Sequence, residues 1–257
     1  MRFAISTMTL ISTLLSSCAL GFDATHADWS AVLKRYLTGD GRVMYEALKR
    51  DSATDKDHPL RRYSESIQSV SRAEFDRWTE VDRKAFLINA YNALTVQLIV
   101  SHHPVKTIRD IGGFFTKAWD VKFFKLLDGT VTSLDPIEHK LLRPLFRDER
   151  IHAAVNCASI SCPPLSHEPF VGNRLDAQLD DQMRRWLADR SLNEYEAQAG
   201  AIKISKIFDW YEKDFADWGG GIRNVVRKYG PEAARAAVGK GARITFMDYD
   251  WRLNEAK

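Results

Sequence analysis

Two cysteines, Cys157 and Cys162, stand five residues apart in the segment 151–165, and three different chemistries fit them. A thiol with a lowered pKa is a nucleophile, given a neighbouring base and some access to solvent. His139 and His152 are the candidate bases. Asn89, Asn92 or Asn156 could orient an imidazole or donate to an oxyanion, and Cys157, His139 and Asn156 make the candidate arrangement for a thiol-dependent hydrolase or acyltransferase. In an oxidising compartment the same two cysteines form a disulfide equally well, and the domain is then a non-catalytic binding module. Third, Cys157, Cys162, His139 and His152 are four ligand types suited to tetrahedral zinc, although their spacing fits no standard finger. No other cofactor is implied.

Around this loop a ligand would meet Asn89, Tyr91 and Asn92 from one helix, with Trp119, His152, Asp209 and Tyr211 from elsewhere. The run Asp209, Trp210, Tyr211, Asp214 and Phe215 could line a sugar or peptide groove, and Phe114, Phe115, Trp119, Phe123 and Phe124 could rim a cleft. The chain contains no phosphate loop, GxSxG elbow, HExxH motif or dinucleotide fingerprint.

The elements that must position these residues are mostly helices. Asp28 is the expected N-cap of a first helix carrying Trp29, Val32, Leu33 and Tyr36 at helical spacing. Pro59 opens a second stripe of Leu60, Tyr63, Ile67 and Val70, and Ser71 to Glu74 reads as a capping box. Residues 81–102, stopped by Pro104, are apolar nearly all round and predict a central buried helix. Asn89 and Asn92 on that helix need partners if buried. Residues 121–133 with Asp128-Gly129 predict a β-hairpin, Asp135 is the expected cap of a helix holding His139, and residues 151–156 predict a short buried strand. On that strand His152 faces away from Cys157, which favours His139 as the base. Further helices are expected at 175–187, 207–215 and 222–229, and strands at 201–204 and 243–247. Together these predict one α+β domain, rich in helix, with a small, mostly antiparallel sheet.

Composition limits the function classes. Of 257 residues, 45% are hydrophobic and 28% charged, with 37 Lys and Arg against 34 Asp and Glu. So even a balance argues against a nucleic-acid surface. Residues 1–21 pair an early Arg2 with a short apolar run, the pattern of a secretory signal peptide, leaving a domain at 22–257. Leu15-Ser16-Ser17-Cys18 is also a lipobox-like motif, which would leave Cys18 lipidated and tie the protein to a membrane through that lipid alone. Either route predicts an exported protein, periplasmic or secreted, whose partner is a small-molecule or peptide ligand of the cell envelope.

Several separated motifs resemble one family. Leu87-Ile-Asn-Ala-Tyr-Asn-Ala93, the segment Ile151 to Leu165, Ser133-Leu-Asp-Pro-Ile-Glu-His139, Ser205-Lys-Ile-Phe-Asp-Trp-Tyr211 and Tyr249-Asp-Trp-Arg-Leu-Asn254 resemble the bacterial exported branch of the domain of unknown function 547 family. The start, Phe22 to His26 with Trp29, resembles it as well. The resemblance implies an extended α+β domain, often exported, and no activity. Plant members look similar around the first cysteine, and several carry serine in place of the second, which implies that a bridge is not required by the whole fold.

Overall fold

The computed structural model describes residues 21–113, 115–195 and 200–256. The expected signal through residue 20, Cys18 and Phe114 lie outside the described residues. Among the described residues no helix is long and apolar enough to cross a membrane.

Helix α5 (Glu80–His102) is the axis of the fold, and fifteen of its residues between Lys84 and Ile99 are buried. Its uninterrupted apolar surface can only be satisfied by cover on every side. Helices α1 (Ala27–Tyr36), α2 (Tyr45–Thr54), α3 (Pro59–Ser69) and α4 (Arg72–Arg77) supply much of that cover. Thr79 caps α5 by accepting the Asp82 N–H at 3.2 Å, and Ser71 caps α4 through the Glu74 N–H at 3.1 Å. The cap position of α1 is His26 rather than Asp28, which sits in the first turn and pairs with Arg62.

A second apolar cluster gathers around helix α9 (Leu175–Ala188) with helices α11 (Glu212–Gly219), α12 (Ile222–Tyr229) and α13 (Glu232–Gly239). Helices α8 (Ile151–Ala154) and α9 join the two clusters: Ala154, Leu175 and Leu179 belong to the first, while Ala153, Met183, Trp186 and Leu187 belong to the second. Lys84 of α5 donates to buried Asp148 at 3.0 Å just ahead of α8, which fixes that short helix against the central one.

Strands β1 (Ala201–Ile204) and β2 (Arg243–Phe246) pair in parallel, from Ala201 opposite Arg243 to Ile204 opposite Phe246. The fold is α+β as expected, but the sheet is parallel, not antiparallel. The reason lies in the connection: helix α10 (Ile207–Trp210) and α11 to α13 separate the strands, the kind of long crossover that parallel pairing needs. The expected hairpin at 121–133 reduces to one antiparallel bridge, Leu126 to Val131, around a turn in which Leu127, Asp128 and Gly129 all have positive φ. The expected strand at 151–156 is instead α8 followed by extended backbone at Val155. A run this short is ambiguous between the two states, and packing against both clusters decides it.

Candidate ligand cavity

The cysteine loop is held from both sides by backbone-directed amides. Asn92 donates to the Ala154 carbonyl at 2.8 Å and accepts the Asn156 N–H at 2.9 Å, so α5 clasps the chain as it leaves α8. Asn156 in turn accepts the Ala158 N–H at 2.8 Å and donates to the Pro163 carbonyl at 2.8 Å, closing the loop on itself. Ala158, with φ of 61°, occupies the left-handed region that this closure requires. The C-terminal segment then runs alongside. The Ile160 N–H donates to the Arg252 carbonyl at 2.8 Å, the Asn254 N–H to Ala158 at 3.0 Å, and the Asp250 N–H to Ser161 Oγ at 2.8 Å.

Within this frame Cys157 and Cys162 are joined by a disulfide, with Cα atoms 6.3 Å apart. The Tyr249 hydroxyl lies 3.2 Å from each sulfur, and the Cys157 N–H donates to Cys162 Sγ at 3.1 Å. Both sulfurs form part of the wall of a cavity of about 300 Å3 at the junction of the two clusters.

Opposite the bridge, the short helix α6 (Leu134–Pro136) runs into a π-helical turn, Ile137–Leu142, and then α7 (Arg143–Phe146). The widened turn carries Glu138 and His139, both in the cavity wall. Glu138 is only 7% exposed and accepts the Tyr211 hydroxyl at 2.8 Å; the Tyr91 hydroxyl bonds to it as well. Burial, reinforced by this carboxylate, pushes both phenols upward, so they stay protonated donors at neutral pH. Arg143 donates to His139 Nδ1 at 2.8 Å; a guanidinium cannot accept, so the ring proton sits on Nε2, 3.6 Å from Asp135.

His152, on α8, donates from Nε2 to Asp214 at 2.9 Å and stacks on Tyr211 with ring centroids 4.0 Å apart. Asp214 also receives the Arg143 fork, at 2.6 and 2.9 Å. Burial works to raise its pKa, but the His152 and Arg143 hydrogen bonds and charges prevail and hold it at about 2. Apart from Val155 and Ile207, the remaining apolar wall is aromatic: Tyr249 packs on Trp210 at 4.6 Å and on Trp251 at 4.5 Å, and Trp119 meets Trp251 edge-on at 6.0 Å. Lys117, Asp120 and Asp135 complete its charged groups.

Of the residues expected at a site, Cys157, Cys162, Tyr91, Trp119, His139, His152 and Tyr211 meet in this cavity. Asn89, Asn92, Asn156 and Asp209 do not line it. Asn89 exchanges two hydrogen bonds with the Phe170 backbone, at 2.7 and 3.0 Å, so the three amides are loop clasps. Asp209 pairs with Lys206 at 2.7 Å outside the cavity. The expected Cys157, His139 and Asn156 arrangement is therefore not assembled: the sulfur is bridged, the imidazole is bound by Arg143, and the amide is spent on backbone. His152 was expected to face away from the cysteine on a strand; on a helix it enters the same cavity.

The four residues of the zinc reading are each engaged with other partners, and nothing supports a zinc site there. Among the described residues no group of three or more His, Cys, Asp and Glu converges as a metal site. Cys157 and Cys162 bind each other, His152 binds Asp214, and His139 faces Arg143 and Asp135. Glu138, Lys117, Asp120, Tyr249 and Trp251 were missed as site residues. Glu138 and Tyr249 each sat inside a family-like motif, which was the available signal, but neither carries a spacing that announces chemistry.

Residues 75–187 match a family model described as "Protein of unknown function, DUF547". No curated protein and no solved structure matches the chain. The matched segment contains α5, the π-helical turn and the cysteine loop, whereas Tyr211 and Tyr249 reach the cavity from beyond it and Asp214 stands behind His152.

Proposed function

For a chain whose residues 75–187 match that family model, we propose an exported binding protein whose cavity takes a small organic or peptide ligand of the cell envelope. One observation carries this reading: the cavity sets the carboxylates of Asp120, Asp135 and Glu138 and a single lysine, Lys117, beside the rings of Trp119, Trp210, Tyr249 and Trp251. Flat rings select flat apolar faces, and carboxylates, of which Glu138 is buried, select ammonium or hydroxyl donors. The ligand class that satisfies both is a molecule with an amine or a dense set of hydroxyls beside a flat face, such as an amino sugar or a peptide amine. A neighbouring groove of about 580 Å3, lined by Arg109 and Phe115 among others, shares Lys117, Trp119 and Trp251 with the cavity. It gives a longer ligand room to continue. The exported setting is supported by the signal-like residues 1–21 and by the bridge, a bond that persists in oxidising compartments.

The test is a ligand-observed NMR screen of amino sugars and short peptides against the mature protein. Glu138→Gln is expected to weaken any hit about tenfold, the order expected for a hydrogen bond to a charged group. Trp210→Ala should weaken it as well. Hits that ignore both substitutions would place binding elsewhere and overturn the reading.

A hydrolytic reading draws support from one contact, the 2.9 Å bond that orients His152 on Asp214 in the same cavity as Cys157. It makes His152, not His139, the base, and it requires the bridge to be open. Reaction of the reduced chain with an activated ester probe tests it; no acylation of Cys157 would remove it.

A further inference from the structure

We propose that the Cys157–Cys162 bridge is a redox-active disulfide that exchanges with a small thiol admitted to the cavity. This rests on the reading of the cavity as a ligand pocket, because the thiol reaches the bridge through it. The two sulfurs are not equivalent. Cys157 is half-buried, whereas Cys162 is 4% exposed. Among the described residues Cys162 Sγ is the one of the two that receives a backbone donor, the Cys157 N–H at 3.1 Å; the Tyr249 hydroxyl lies 3.2 Å from both sulfurs, and Cys157 Sγ has besides it only the Ser159 hydroxyl, at 3.8 Å. Burial pushes the Tyr249 phenol up, so it is a proton-bearing donor throughout the neutral range.

This asymmetry gives the exchange a direction. An incoming thiolate attacks Cys157 Sγ, forming a mixed disulfide as the Cys157–Cys162 bond breaks. The electron pair leaves on Cys162 Sγ, where the backbone N–H and the phenol O–H stabilise the thiolate. Donors of this kind lower the leaving thiol's pKa, and a lower leaving-group pKa speeds exchange. A second thiol then attacks the mixed disulfide at its own kind of sulfur, releasing a small-molecule disulfide and the Cys157 thiolate. The two protons shed by the two thiols end on Cys157 and Cys162. Two thiols are oxidised, and the bridge is reduced to a dithiol.

The experiment treats the oxidised mature chain with 2-mercaptoethanol under native conditions, quenches with acid, and maps adducts by mass spectrometry. The mixed disulfide is expected on Cys157, with Cys162 recovered as the alkylatable thiol. Tyr249→Phe is expected to slow adduct formation about tenfold. As a check independent of Tyr249, the free Cys157 of Cys162→Ser should alkylate at least tenfold faster than the free Cys162 of Cys157→Ser. Adducts on Cys162, equal reactivity of the two single variants, or reduction only at the rate of global unfolding would each overturn the proposal. A chain carrying both serine substitutions separates the two readings. If it still binds a hit from the ligand screen while the wild-type bridge is inert, exchange alone falls; if no chain binds a ligand and the bridge is inert, both fall.

Discussion

Asp214 ties α8 to α7 behind the cavity, because its single carboxylate accepts from His152 and from both arms of the Arg143 fork. Removing its charge leaves the half-buried Arg143 guanidinium without a counter-ion and gives the buried His152 N–H a weaker, neutral acceptor. Asp214→Asn is therefore expected to cost about 3 kcal/mol in urea unfolding at pH 7, the scale for breaking a buried pair. The sign of the acid dependence follows from the depressed pKa. At about 2 against an ordinary 3.8, the folded carboxylate stays charged where the unfolded one takes a proton. Its contribution is present above about pH 4 and disappears as the pH falls toward 2, so the variant should show a flatter acid limb over that window. Asp214 was legible only as part of an aromatic-acidic run. Its partners, 62 and 71 residues distant, were not, since no local pattern points across such a separation.

Helix α5 serves the cavity through its amides as much as through Tyr91. Asn92→Ala would strand the Asn156 N–H and the Ala154 carbonyl in a buried setting. The expected loss is about 2 to 3 kcal/mol, together with faster amide hydrogen exchange across residues 156–162. Unchanged exchange there would mean that the C-terminal segment alone holds the loop. The long periodic helices were readable: residues 81–102 became Glu80–His102, and 175–187 became Leu175–Ala188. The short pieces were not. Residues 151–156 carry too few side chains for a period, and tertiary contacts made them a helix, which turned His152 toward the cavity. The sheet's direction was equally hidden, because strand existence is a matter of local residue types whereas pairing depends on where four intervening helices return the chain.

For the molecule as a whole, His26 sets a mild-acid limit on stability. It is buried between α1 and α3, with Nδ1 2.7 Å from the Tyr63 hydroxyl, and burial lowers its pKa to about 4 against the pull of Asp23 and Asp82. Between about pH 6.5 and 4 the unfolded chain binds a proton that the folded chain refuses, so stability rises with pH across this window. The loss on acidification approaches about 3 kcal/mol by pH 4. Thermal unfolding at pH 7 and pH 5 should show it, and His26→Gln should flatten the difference; an equal slope in the variant would place the effect elsewhere. The sequence by itself determined the helix-rich class, the buried central helix, the family-like motifs and the chemical types from which a site could be made. Only the tertiary structure decided that Cys162 meets Tyr249 across 87 residues and that Tyr211 meets Glu138 across 73. Periodicity and capping act over one or two turns of chain, whereas a cavity is defined by surfaces that the packing of two apolar clusters brings together.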